Sequence, residues 1–155
     1  MSVEVRVRRG RPDEAPALTA LARRAKASWG YPDAWLAQWD DELAFTPAYI
    51  ASEHVWVAEA DGRIAGVLAL ETRDEGWTID RLWVDPDAQG AGIGRLLVAE
   101  ALAHARREPR GDIDVLSDPF AEPFYLKLGA ARAGEVAAPM PGAPDRTLPR
   151  LVFTV

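Results

Sequence analysis

Three glycines at alternate positions, Gly90, Gly92 and Gly94, lie between an apolar run that ends at Val84 and the most regular helical pattern in the chain. This segment, Asp85-Pro86-Asp87-Ala88-Gln89-Gly90-Ala91-Gly92-Ile93-Gly94-Arg95, restricts the fold more than any other. Glycines in this setting let the backbone bend tightly and present bare N–H groups at a helix N-terminus, where the helix dipole favours an anion. The expectation is a strand, a phosphate-binding turn and a helix in succession. A nucleoside triphosphate loop is ruled out because it needs Gly-Lys-Ser/Thr, and the only lysines are Lys26 and Lys127. The dinucleotide fingerprint fails as well. It needs a glycine two residues beyond Gly94, where Leu96 and Leu97 stand, and a strand closer to the first glycine.

The helix after this turn is read from Ile93, Leu97, Ala101 and Ala105, which step by four as far as Arg107. Upstream, Val3, Val5 and Val7 alternate with charged residues, giving a strand over about Val3 to Arg8. A helix opens at Pro12 with Leu18, Leu21, Ala22 and Ala25 on its apolar face and stops before Gly30. Asp33 to Leu43 reads as a second helix through Trp35, Leu36, Trp39 and Leu43, and Thr46-Pro47 opens a short turn to Ala51. His54 to Ala60 and Arg63 to Glu71 are strands joined by Asp61-Gly62, a dipeptide suited to a tight hairpin. Trp77 to Val84 follows them. Strict alternation puts Thr78, Asp80, Leu82 and Val84 on one face and Trp77, Ile79, Arg81 and Trp83 on the other.

Past the long helix come a strand over Asp112 to Ser117, a helix over Pro119 to Leu128 and a strand over Ala131 to Val136. A proline-rich loop over Ala137 to Pro149 then leads to a last strand from Leu148 to Val155. The sum is a mixed α/β sheet of about seven strands with four helices. Antiparallel hairpins come first and a strand–helix–strand crossover follows. At 155 residues the chain fits one domain, 1–155.

The chain has no cysteine, which excludes disulfides, thiolate metal sites and a cysteine nucleophile. His54 and His104 stand alone in the sequence, so no metal is expected. A net charge of −6 argues against nucleic acid, and no apolar run approaches the roughly 20 residues that cross a bilayer, so neither a membrane nor a nucleic acid is an expected partner. The N-terminus lacks the pattern of a signal peptide, and the expected location is the cytoplasm. Charge is uneven: net +4 over residues 1–30, −9 over 31–80 and −1 over 81–155. An acidic middle attracts a cationic partner or simply keeps the chain soluble.

Leu82-Trp83-Val84-Asp85-Pro86 followed by Gln89-Gly90-Ala91-Gly92-Ile93-Gly94-Arg95-Leu96-Leu97 resembles the acetyl-CoA motif of the GCN5-related N-acetyltransferase (GNAT) superfamily. Asp118-Pro119-Phe120-Ala121-Glu122-Pro123-Phe124-Tyr125-Leu126-Lys127-Leu128-Gly129 is similar to a later motif of the same family, with Asp118 in place of the usual asparagine. The resemblance covers nearly the whole chain and is weakest over Trp29 to Ala51. It implies acetyl-CoA as the donor and an amine on a small molecule or a peptide end as the acceptor, with a homodimer possible.

The resemblance also implies site residues. Gln89, Gly90, Ala91, Gly92, Ile93, Gly94 and Arg95 hold the pyrophosphate. Leu82, Trp83 and Val84 line the pantetheine arm, which lies in a gap opened between their strand and the parallel strand over Asp112 to Ser117, and Asp118 and Phe124 border the same gap. Tyr125 matches the family's general acid. The family's glutamate base is replaced by Thr78, which leaves Asp80, on the same strand face, to activate the amine or to pair with Arg81 or Arg95. Trp29, Tyr31, Trp35 and Trp39 fall where the family lines its acceptor pocket, with Thr78 beside them; the stripe equally suits helix packing. Glu42, Glu71, Asp74 and Glu75 suit an ammonium group and equally suit a solvent-facing surface. The missing glutamate raises a second possibility, a catalytically weak acyl-CoA sensor.

Overall fold

Asp61 and Gly62 take φ angles of +54° and +73°, the two positive values that a two-residue hairpin turn requires, and the sheet is built outward from this reversal. The computed structural model describes residues 4–155, so the expected strand start at Val3 lies outside the described residues. β1 (Val5–Arg9) is followed by a 3-10 turn at Pro12–Glu14 and by α1 (Ala15–Ala27). Three short helices come next, α2 (Asp33–Gln38), α3 (Asp40–Leu43) and α4 (Pro47–Ser52). The meander β2 (His54–Ala60), β3 (Arg63–Arg73) and β4 (Gly76–Val84) leads to α5 (Ile93–Arg107), β5 (Ile113–Leu116), α6 (Glu122–Lys127), β6 (Ala131–Ala137) and β7 (Thr147–Phe153).

The seven strands form one sheet in the order β1-β2-β3-β4-β5-β7-β6, antiparallel except for β4 with β5. The mixed class, the strand count and the parallel pair agree with the sequence reading. The helix count does not, because six α-helices form among the described residues where four were expected. The continuous helix expected over Asp33–Leu43 breaks at Trp39, whose φ and ψ of −88° and −1° tighten the turn and bring its ring within 4.1 Å of the Lys26 ammonium. The turn at Thr46-Pro47 becomes a helix of its own, with the Thr46 hydroxyl accepting from the Tyr49 N–H.

A core lies on each side of the sheet. Leu18, Leu21, Leu43, Phe45 and Ile50 cover Val55, Val57, Val67 and Ala69 on one side. Ile93, Leu97, Val98 and Ala101 of α5 cover Trp56, Leu68, Leu70 and Ile79 on the other. Gly66 is required here, since a β-carbon on it would stand 2.7 Å from the Ile93 side chain.

One sequence expectation is corrected inside β4. The register steps between Ile79, opposite Leu70, and Arg81, opposite Ala69, leaving Asp80 as a bulge residue. Beyond the bulge the alternation is reset. Leu82 and Val84 therefore pack on the α5 side with Trp77 and Ile79 rather than on the face of Thr78 and Asp80. Arg81 turns to the other side, over the rings of Phe45 and Tyr49, and Trp83 packs there too.

The turn between α5 and β5 gives a test of the packing. Gly111 has φ +138°, and a β-carbon there would overlap the carbonyl oxygen of Glu75. Gly111→Ala is expected to lower stability by about 3 kcal/mol, by strain and steric overlap together. Equilibrium urea unfolding would show a lower midpoint at unchanged slope; a loss under about 1 kcal/mol would contradict this account of the turn.

Candidate active site

The parallel pairing of β4 and β5 is short, covering only Trp77–Ile79 against Ile113–Val115. β4 continues to Val84 on its β3 side, while β5 follows β7, so the two strands part after Ile79. The bulge at Asp80 coincides with the point of parting. Between the strands lies a cleft of about 580 Å³ whose lining includes Asp80–Val84 from one strand and Val115–Asp118 from the other. The Asp85 N–H donates to the Ala65 carbonyl on β3, 2.8 Å away, so alternation directs the N–H groups of Val84 and Leu82 into the cleft.

At the end of β4 the chain is pinned by Asp85. Its carboxylate accepts from the Asp87 N–H at 3.0 Å and pairs with Arg24 at 2.9 Å; these contacts hold it below the usual carboxylate range in spite of burial. The glycine turn follows, with Gly90 at φ +85° and Gly92 at φ +75°. Gly92 is the N-cap of α5, and the first helical N–H to find a partner is that of Leu96, which donates to the Gly92 carbonyl. The N–H groups of Ile93, Gly94 and Arg95 stay free at the positive end of a 15-residue helix. The Arg95 guanidinium folds beside Gly92. Gly94 has a different reason to be glycine: a β-carbon there would come within 2.9 Å of the Phe124 ring. Two of the three glycines thus shape the turn, and one admits a packed aromatic ring. Gln89, Gly92, Ile93, Gly94, Arg95 and Phe124 line the cleft, whereas Gly90 and Ala91 lie in the turn outside its lining.

Tyr125 enters from α6, which begins at Glu122 so that Pro123 falls in the first turn, where its missing N–H costs nothing. Its ring is held edge-on to Phe124 and Phe153. Tyr125 is only 5% exposed yet lines the cleft, and its hydroxyl has no hydrogen-bond partner among the described residues. Burial, reinforced by the negative charge of Asp118, pushes the phenol well above its ordinary value.

Across the cleft, Asp80 approaches Arg81 at 3.3 Å rather than Arg95. It also meets Glu71, whose carboxylate accepts from the Tyr49 hydroxyl at 2.6 Å and pairs with Arg73 at 3.0 Å. The Asp80 side chain is 44% exposed, yet partial withdrawal from water, then the Glu71 charge, raises its carboxyl above the usual range, with Arg81 opposing. Burial works against Glu71 ionising, yet hydrogen bonds from Tyr49, Arg73 and Asp80 bring it below its ordinary value. Of the two carboxyls, Asp80 therefore holds its proton the more readily. Thr78 sits opposite Glu71 on β3 and lines the cleft.

The third wall was only partly visible in the sequence. Asp118 accepts from Lys26 at 2.8 Å and from Tyr31 at 2.9 Å, and its other oxygen accepts from the Phe120 N–H. Its carboxylate is thus committed to this wall, with little left for a ligand in the gap. Burial, with Asp118 next, pushes Tyr31 up to about 12, and burial lowers Lys26 against the pull of Asp118. The rings of Tyr31, Trp35 and Trp39 do receive cations, but these are the chain's own: Lys26, and Arg146 from the β6–β7 loop. Trp29 and Trp39 line the cleft and Tyr31 does not; Trp29 stacks on Phe120 at 5.2 Å. Lys26 had one sequence signal, a lysine on the apolar stripe of a helix after Ala22 and Ala25. Arg146, in a proline-rich loop, had none.

A sequence model of the GNAT acetyltransferase domain matches residues 33–137, more than half of the chain. Blasticidin-S acetyltransferase of Streptomyces morookaense is 37% identical over 90 residues, 56% of this chain and 65% of that protein. Peptidyl-lysine N-acetyltransferase YiaC of Escherichia coli K12 is 30% identical over 93 residues, 59% of this chain and 61% of that one. These matches span less than two thirds of either relative. Among solved structures, the PaiA N-acetyltransferase of Thermoplasma acidophilum in complex with coenzyme A superposes with a TM-score of 0.77 over 98% of this chain and 99% of that one, at 16% identity. Sequence match, sheet order and parted strands agree: the chain belongs to the GNAT acetyltransferase domain family.

Proposed function

We propose that this chain transfers an acetyl group from acetyl-CoA directly to a primary amine on a small molecule or on a peptide or protein end. The observation that carries the reading is the parting of β4 from β5 next to an open helix N-terminus, with an unpartnered buried phenol facing the gap. In this reading the backbone from Gln89 through Gly90, Ala91, Gly92, Ile93 and Gly94 to Arg95 holds the diphosphate. Backbone groups of Leu82 and Val84 pair with the amides of the donor arm, and Trp83 and Phe124 flank it. The Val84 N–H polarises the thioester carbonyl as negative charge develops on its oxygen.

Asp80 takes a proton from the acceptor ammonium, directly or through water. The freed amine attacks the carbonyl carbon, a C–N bond forms and the C–S bond breaks. Tyr125 gives its proton to the departing sulfur, and the surplus proton that the nitrogen carries after attack passes through water to the phenolate, so that the amide, the free thiol and the neutral phenol are left. Thr78, Trp29 and the wall secured by Tyr31 and Asp118 border the acceptor. The names of the two relatives support N-acetyl transfer, and the coenzyme A held by the PaiA enzyme supports the donor.

Release of free coenzyme A across a panel of amines tests this. Turnover on at least one amine supports transfer; tight acetyl-CoA binding with no turnover on any of them replaces it with the sensor reading.

Asp80→Asn gives the pH test. A base acts only when deprotonated, so kcat/KM should rise with pH through the raised pKa of Asp80, and the variant should lose this limb and about 10²-fold in rate. Stability moves in a linked way. A carboxyl whose folded pKa is raised contributes stability at low pH that is lost as pH climbs through that value. Asp80→Asn should therefore raise Tm at pH 8 relative to wild type and leave it nearly unchanged at pH 4. An unaltered pH–rate profile would remove Asp80 from the chemistry.

A further inference from the structure

The chain has two histidines and no cysteine, and the fold brings the two histidines together. His54 opens β2 and His104 lies in the last turn of α5, with their ring centroids 4.2 Å apart. Glu108 follows one turn after His104 and places a carboxylate oxygen 3.4 Å from its Nε2. One ligand atom from each of the three residues lies within 4.8 Å of the other two. Separation of the histidines in the sequence concealed this, and the expectation that they stand apart is corrected here. The cluster sits at the opposite end of α5 from the glycine turn, about 20 Å along the helix, and is separate from the cleft.

We propose that His54, His104 and Glu108 form a binding site for a divalent transition-metal ion of the zinc class. Two nitrogens and one oxygen suit Zn2+, Ni2+, Co2+ or Cu2+, whereas Mg2+ and Ca2+ prefer oxygen donors. Around a tetrahedral zinc at about 2.0 Å, ligand atoms stand about 3.3 Å apart, so side-chain rotations that bring them at most about 1.5 Å closer complete the site. Among the described residues, Nε2 of His104 is buried without a hydrogen-bond partner, as is the neighbouring Trp77 Nε1, whose ring lies 5.4 Å from that of His104. The rings of Trp56 and Trp77 wall both imidazoles. Burial lowers both histidines below their ordinary value, which favours the neutral form that ligates.

Arg9 donates to His54 Nδ1 at 3.2 Å while its guanidinium lies 4.2 Å over Trp56, and the Arg110 guanidinium lies 5.2 Å over Trp77. These charges repel an ion held by Coulomb attraction alone, and Arg9 must swing aside if Nδ1 is to ligate. The site therefore selects ions that bond to imidazole nitrogen over hard cations.

The full chain, free of any histidine tag and stripped with a chelator, is titrated with ZnCl2 by calorimetry and with CoCl2 by visible absorption. The expected result is saturation at one ion per chain, a visible Co2+ band of low-symmetry coordination and a rise in Tm with zinc. Glu108→Gln, which leaves the packed rings in place, should weaken zinc by about tenfold or more, and His54→Ala/His104→Ala should abolish saturation. Coenzyme A affinity, measured in parallel, reports that each variant is folded and is expected to stay unchanged. No saturable binding to wild type, or equal zinc affinity in wild type and both variants, overturns the site.

Discussion

Gly92→Asp is expected to abolish measurable coenzyme A binding in a protein that still folds. The position makes these two effects separable. Gly92 caps α5 at φ +75°, and a β-carbon there would meet only the flexible Arg95 side chain, at 3.5 Å, with no core atom nearby. A side chain in this left-handed conformation costs about 1–2 kcal/mol, which lowers Tm modestly. The added carboxylate, in contrast, would stand where the free N–H groups of Ile93, Gly94 and Arg95 converge. A second unit charge at about 4 Å costs about 4 kcal/mol at the effective dielectric of a protein surface, or nearly a thousandfold in affinity. Gly92→Ala carries the strain without the charge and should lose far less. Calorimetry with coenzyme A distinguishes the two variants. If Gly92→Asp bound as tightly as wild type, the diphosphate would have to sit elsewhere and the proposed use of the cleft would be wrong.

The same turn shows how far a sequence can be read. Glycines at positions 90 and 92 declare their positive φ angles because other side chains rarely adopt them, and Asp61-Gly62 declares its hairpin for the same reason. Local backbone chemistry is legible since it is written in consecutive residues. The bulge at Asp80 is not, because it arises from registering β4 against β3, and no residue in the Thr78–Leu82 stretch marks the skipped pairing. A strict period of two therefore put Leu82 and Val84 on the wrong face. Charge partnerships across the fold were hidden too. Asp118 could be placed at the gap by its motif, but its capture by Lys26 and Tyr31 joins positions 92 and 87 residues apart. The break at Trp39 was equally hidden, and the ring it turns toward Lys26 meets a side chain of another helix. Pro123, by contrast, acts within its own helix, and α6 starts at Glu122 rather than at the expected Pro119, which keeps the proline in the first turn.

Tyr125→Phe is expected to lower kcat by about 10²–10⁴-fold while leaving stability and coenzyme A affinity nearly intact. The change removes one oxygen. That oxygen makes no hydrogen bond to the described residues, so the folded protein loses no contact, and the ring keeps its packing against Phe124 and Phe153. A buried phenol lifted above its ordinary value by burial and by Asp118 stays protonated across the working pH range, which fits it to give a proton and not to take one. The proton matters because charge builds on the sulfur as the C–S bond breaks, and a proton delivered at that moment neutralises it. Transfer from the hydroxyl in the rate-limiting step should make wild-type kcat larger in H2O than in D2O, and Tyr125→Phe should lose this solvent isotope effect together with the rate. A group that only shaped the pocket would leave the isotope effect unchanged. Steady-state kinetics in the two solvents discriminate between them, and a small rate loss with an unaltered isotope effect would assign Tyr125 to packing and leave the sulfur to be protonated by solvent.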